Sequence, residues 1–188
     1  MPDPIDPDKP PREVTWQAPP LNTVLLRYSK EEVKAILVYG RANTPMPAWG
    51  IEGGGPMNDQ QIDDLIAYID TLQLDPEDVR KAALEEFGTD GAKLFDGFCS
   101  RCHTLGWSIG EPDLVAGGAF GPSLRDGGTL RQFPDEKTHT EFITEGAEYA
   151  EPYGLRGVGG DEGGGMPGFG RMLTKEQIDA IVEYERAL

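Results

Sequence analysis

The stretch FDGFCSRCHTLGW, residues 95–107, contains both cysteines of a 188-residue chain and one of its two histidines. Cys99, Cys102 and His103 therefore stand within five residues of one another, in a chain that uses neither residue type freely. Just upstream, Asp90 is placed to cap a helix running from Gly91 to about Ser100, so the cysteines fall at its end. Downstream, residues 104–129 are Gly-rich and read as loop.

Further helices follow from the same signals. Ser29 with Glu32 makes a capping box ahead of the apolar stripe Val33, Ile36 and Leu37, and Gly40 stops that helix. Asn58 caps a second helix with the stripe Ile62, Leu65, Ile66, Ile69 and Leu72, and Asp75-Pro76 opens a third that runs to Gly88. Asp135 caps a short helix carrying Phe142 and Ile143 up to Gly146. A long Gly loop, residues 147–170, leads to a closing helix capped by Thr174. No stretch shows a convincing strand period, so the expected fold class is all-α with long loops. Residues 1–20 are rich in Pro and Asp and are expected to be irregular.

One device is printed twice. MPAWG (46–50) and MPGFG (166–170) each follow a helix that ends in glycine and precede a capped helix. Gln61-Ile62-Asp63 aligns with Gln177-Ile178-Asp179, and Tyr68 with Tyr184. Only the second copy follows a Cys-x-x-Cys-His run. The pattern reads as a duplication whose first copy lacks its front half.

Composition narrows the class. Gly 25, Pro 16 and a hydrophobic share of 38% describe a thin apolar core, one that would gain from a metal or cofactor. A net charge of −16 disfavours nucleic acid, because phosphates would be repelled. It suits a partner with a basic docking patch, or simply a soluble surface. No apolar run reaches the length of a membrane span and no secretory leader is visible, so a mature form or an excised soluble portion is expected.

Cys-x-x-Cys-His is the signature of c-type haem attachment. Two thiols three residues apart reach the two vinyl groups of one porphyrin, and the adjacent imidazole meets the iron as fifth ligand. Three other readings compete. Structural zinc needs about four ligands, and His139 is the one histidine beyond this run. A redox dithiol sits at a helix start after a strand, whereas this pair ends a helix. A plain disulfide leaves His103 without a purpose.

The run from DGAKLFDGFCSRCHTLGW through GPSL to MPGFGRMLTKEQIDAIVEYERAL resembles a class I cytochrome c, over roughly residues 87–188. The resemblance implies a cytochrome c fold, in which Gly91 and Phe95 of the first helix cross the last helix near Tyr184. It implies one covalent haem c. The Pro122 carbonyl of Gly121-Pro122-Ser123-Leu124 would orient His103, and Met166 would be the sixth ligand, with Met172 as the near alternative. His139 would serve only a bis-His site and is otherwise read as a solvated polar side chain. Trp16, Trp49 and Trp107 are read as core aromatics.

The resemblance also divides the chain. Residues 1–20 form a linker, 21–75 a degenerate cytochrome c-like half without a haem motif, 76–87 a linker helix, and 88–188 the haem domain. Met46 occupies the ligand position of the first copy but has no proximal histidine, so it is not expected to bind iron. The implied activity is one-electron transfer between respiratory partners: a quinol-oxidising complex, a dehydrogenase or a terminal oxidase. The implied location is extracytoplasmic, with membrane contact only through an anchor or partner. Two alternatives remain. One is a haem subunit of a larger complex, possibly di-haem. The other is a sensor or enzyme with an open sixth position.

Overall fold

The computed structural model describes residues 8–10, 18–41, 45–104, 115–118, 121–147 and 165–188. Trp16, Trp107, most of the stretch 1–20 and much of both Gly-rich loops lie outside them. In chain order the α-helices are α1 (Lys30–Tyr39), α2 (Asp59–Thr71), α3 (Pro76–Phe87), α4 (Gly91–Phe98), α5 (Ser100–His103), α6 (Gly128–Gln132), α7 (Glu136–Glu145) and α8 (Lys175–Arg186). Short 3-10 turns occupy Leu21–Leu26 and Ile51–Gly53. Among the described residues, extended pairing is confined to two isolated bridges, Gly50–Met57 and Gly146–Pro167. The all-α expectation stands.

The caps explain where helices begin. Ser29, Asn58 and Thr174 form reciprocal capping boxes with Glu32, Gln61 and Gln177. Asp75, Asp90 and Asp135 accept from the amides of Glu77, Lys93 and Thr138. Each cap satisfies an amide that the helix itself leaves orphaned. The helix expected from Gly91 through Ser100 is broken instead. α4 stops at Phe98, Cys99 bends at φ −109° and ψ −36°, and α5 resumes at Ser100.

Two buried clusters organise the chain. The larger holds Leu94, Phe95, Cys99, Ile143, Phe169, Met172, Ile178 and Ile181; the smaller holds Val24, Val33, Leu37, Ile62, Ile66 and Ile69. α4 and α8 meet closely in the first. A Cβ at Gly91 would collide with the Ala180 carbonyl and stand 3.0 Å from the Tyr184 Cβ. Phe95 and Tyr184 rings lie 5.3 Å apart there, a favourable tilted pair. Gln177, fully buried, ties α8 to the turn before α4 by donating to the Gly88 carbonyl at 2.9 Å.

The 3-10 turn at Leu21–Leu26 joins the clusters: Val24 packs in the smaller and Leu26 in the larger. Arg171 Nη1 donates to the Leu25 carbonyl at 3.0 Å, and Arg80 Nη1 donates to the Arg171 carbonyl at 3.2 Å. Gln73 Nε2 fixes the other end of the turn by donating to the Leu21 carbonyl at 2.8 Å.

The two Met-Pro-x-aromatic-Gly segments have the same backbone pattern. Gly40 ends α1 at φ 74° and ψ −164°, and Gly146 ends α7 at φ 80° and ψ −169°, a region open essentially to glycine alone. The amide after each glycine donates to the methionine carbonyl: Arg41 to Met46 at 3.0 Å, Ala147 to Met166 at 2.8 Å. The aromatic amide returns to the preceding helix, Trp49 to Leu37 at 2.9 Å and Phe169 to Ile143 at 3.0 Å. The glycine directly after each aromatic completes the set, with the Gly50 amide donating to Val38 and the Gly170 amide to Thr144.

Candidate functional site

α5 is a single turn anchored at both ends. Cys99 donates its amide to Phe95 at 2.8 Å, and the amides of Cys102 and His103 both return to the Cys99 carbonyl at 3.1 Å. Ser100 Oγ donates to the Asp96 carbonyl at 2.5 Å. Cys99 is buried in the larger cluster, and Cys102 is half-buried. Both thiols are unbonded, and among the described residues no three His, Cys, Asp or Glu side chains converge as a zinc site requires.

The thiols remain protonated at neutral pH. Burial pushes Cys99 well above the usual thiol range, helped by the nearby Glu185 and then Cys102. Burial also pushes Cys102 up, against the opposing pull of Arg41, Arg101 and Arg27.

The segment after the loop folds back on the carbonyl end of α5. Gly118 donates to the His103 carbonyl at 2.7 Å, and Gly121 to the Cys102 carbonyl at 2.6 Å. The buried His103 ring then lies against Gly121, where a Cβ would stand 2.5 Å from the ring Cε1. Nδ1 of His103 is 2.9 Å from the Pro122 carbonyl. Since a carbonyl only accepts, Nδ1 carries the proton and Nε2 keeps the lone pair.

Met166 is half-buried and packs on the larger cluster, with its carbonyl held by Ala147. Met172 is buried inside that cluster, its amide donating to Phe169 at 2.9 Å. Cys99, Cys102, His103 and Pro122 are thus brought together around α5, and both methionines border the core that Cys99 enters.

Two expectations are overturned. His139 is not solvated: it is 2% exposed, stacks on Phe133 at 5.2 Å, and its Nε2 lies 2.9 Å from the equally buried Glu185 carboxylate. Its place on one face of α7 with Ile143, four residues on, explains the burial. Trp49 is not a core aromatic, since the residue is 41% exposed although its backbone is held by Leu37 and Met57.

Residues 87–184 match the family described as Cytochrome C oxidase, cbb3-type, subunit III. The chain belongs to this family. The region is a class I c-type cytochrome domain, a haem electron-transfer unit of all-α fold. The Quinohemoprotein alcohol dehydrogenase ADH-IIG of Pseudomonas putida is 36% identical over 94 residues, which cover 50% of this chain and 10% of that protein. The cytochrome domain therefore corresponds to a small part of that relative's length. No solved structure matches.

The cytochrome's residues fit the haem that its family implies. Gly121 leaves the face of the His103 imidazole clear, where any larger residue would displace the ring. Each of the two thiols could add its S–H across one porphyrin vinyl group to form a thioether, and the lone pair on Nε2 is a borderline donor suited to iron. Gly121 escaped the sequence reading because its neighbour is a ring 18 residues away. Arg27 escaped it too: its Nε and Nη2 are buried without partners, close enough to Cys102 to pull on its thiol.

Proposed function

We propose that this cytochrome binds one haem c covalently through Cys99 and Cys102, with His103 and Met166 as axial ligands, and transfers single electrons between respiratory partners. The observation that carries the reading is the His103–Pro122 contact beside two unbonded thiols, in a domain of haem electron-transfer type. The haem supplies reversible one-electron storage. The chain's own residues bury it, tether it and orient the imidazole. The Pro122 carbonyl fixes the His103 tautomer and strengthens its Nε2 as a donor. A thioether from Met166 would favour the reduced iron and raise the potential. With His103 and Met166 both holding the iron, no position would be left for substrate, so substrate chemistry at iron is not part of this reading.

The partner is a terminal oxidase, a quinol-oxidising complex or a dehydrogenase with a basic docking face, complementary to the −16 chain. The family description supports an oxidase-linked role, and the chain would act as a haem-bearing part of a larger assembly on the outer face of the cytoplasmic membrane. A second reading is favoured by the Pseudomonas relative: a domain that accepts electrons from an attached or docked dehydrogenase.

The test is a reduced-minus-oxidised visible spectrum with a pyridine haemochrome assay on protein matured by haem-attachment machinery. One c-type haem per chain, with a methionine–iron charge-transfer band lost in Met166→Ala, is the expected result. One haem without that band would move the sixth ligand away from Met166. No covalent haem would sink the reading.

A further inference from the structure

Arg27 follows the 3-10 turn whose Leu26 is buried in the same cluster as Cys99. The turn cannot drift from this position. Leu25 is held by Arg171 at 3.0 Å and by Gln73, whose Oε1 accepts the Leu25 amide at 3.0 Å. The amides of Arg27 and Tyr28 both close on the Val24 carbonyl, at 3.1 and 3.0 Å. Tyr28 in turn lies under the Arg41 guanidinium, 5.1 Å from ring centroid to Cζ.

This rigid segment leaves one anomaly. Arg27 Nε and Nη2 are buried and have no hydrogen-bond partner. A guanidinium is always charged, and burying its donors unpaired is costly because the water they lose is not replaced. Arg41 and Arg101 share its neighbourhood, and their like charge adds to the cost. The two buried nitrogens of Arg27 call for an anion that the polypeptide does not provide there.

We infer that Arg27 is a haem-binding residue: its Nε and Nη2 fork pairs with a carboxylate of the haem tethered at Cys102, so the haem-less N-terminal segment is a functional wall of the haem site. The inference rests on the haem reading above. The cofactor's own carboxylates are the anions that arrive with the Cys102 thioether. Arginine's planar fork matches a carboxylate in a bidentate arrangement that lysine cannot reproduce. The pairing explains why the first half of the chain is anchored onto the Met166 side of the cytochrome through Arg171, and why a guanidinium with buried, orphaned nitrogens stands within electrostatic reach of the second cysteine.

The experiment uses the full holoprotein and its Arg27→Gln and Arg27→Lys variants. Haem stoichiometry by haemochrome assay comes first, then the midpoint potential, then the redox-difference infrared bands of the haem carboxylates. Loss of a buried positive charge favours ferric iron. Arg27→Gln is therefore expected to shift the reduction equilibrium about tenfold toward the oxidised form, about 59 mV for one electron, and to move a carboxylate band. Arg27→Lys is expected to keep the potential within about threefold of wild type while still moving the band, and it carries the test if the Gln variant does not fold. Haem-loaded variants with the carboxylate bands unmoved would overturn the inference, whatever the potential does. A wild-type protein without covalent haem would instead overturn the haem reading itself.

Discussion

The segments around Gly40–Gly50 and Gly146–Gly170 share a backbone arrangement and differ in what packs on it. Each has a glycine stop at positive φ, a methionine carbonyl held by the next amide, and an aromatic amide returning to the preceding helix. Each leads to a helix with a capping box. In the second copy α4 lies on that helix, Tyr184 stacks against Phe95, and Ile181 is fully buried. Around the first segment, no helix among the described residues crosses α2 in the way α4 crosses α8. The matching Tyr68 is 61% exposed and Leu65 only half-buried. The lesson is that the glycine-methionine turn is a self-sufficient backbone unit, while the proposed haem chemistry would depend on the helix pair that supplies Cys99, Cys102 and His103.

The sharpest way to break this comparison is at the tether. Cys99→Ser with Cys102→Ser is expected to abolish haem that survives denaturation, whereas Met46→Ala with Trp49→Ala leaves one haem per chain. Haemochrome content of the denatured proteins decides it. Next comes the sixth ligand. Met166→Ala is expected to lose the methionine–iron band and lower the potential at least tenfold in equilibrium terms, about 59 mV. Met46→Ala leaves both unchanged, and Met172→Ala costs stability without touching the band.

Packing gives the third contrast. Ile181→Ala removes a fully buried side chain at the α4 crossing and is expected to cost about 2–5 kcal/mol by denaturant unfolding. Leu65→Ala, the same position in the first copy, costs less than half of that. The glycine stops should instead behave alike. Gly40→Ala and Gly146→Ala each force a Cβ into the backbone, within 2.7 Å of Pro47 C and Pro167 C respectively, and each is expected to cost about 1–3 kcal/mol or more. Unequal losses would show that the two turns are not equivalent.

The smallest effect is in acid. α1 and α2 are capped by Ser29 and Asn58, which do not titrate, but α4 and α7 are capped by Asp90 and Asp135. The Lys93 amide holds Asp90 below the usual carboxylate range, and the Thr138 amide and hydroxyl do the same for Asp135. A depressed folded pKa gives stability that is complete above the unfolded value, about 3.9, and is lost as pH falls through the folded one. Asp90→Asn with Asp135→Asn should therefore flatten the acid side of the unfolding profile below about pH 4. The substitution Asn58→Asp, which gives α2 a titrating cap, should steepen it.

Helices announced by a side-chain cap were legible from sequence: Ser29, Asn58, Asp75, Asp90, Asp135 and Thr174 all cap where their spacing places them. The turn at Leu21–Leu26 and α6 were not, because neither has a capping side chain; α6 starts from Gly127 in the left-handed region. His139 and Glu185 carried a readable signal that their polarity masked. His139 lies four residues before Ile143, and Glu185 lies four after Ile181, so both sit on apolar stripes. Within the site, the Cys99, Cys102 and His103 trio is local and legible. Gly121 and Arg27 act across long chain separations, and no period or motif encodes such meetings.

The Arg171–Leu25 hydrogen bond has a consequence for synthesis. Its partners are 146 positions apart. At a translation rate of roughly 5–20 residues per second, the carbonyl of Leu25 exists for about 7–30 s before the arginine that clasps it is made. Every other buried member of Leu26's cluster is likewise made after it, five of them after Arg171. The first-made part of the chain is thus among the last to reach its final place, and a pause before residue 171 would prolong the interval in which Leu26 lies open to other chains.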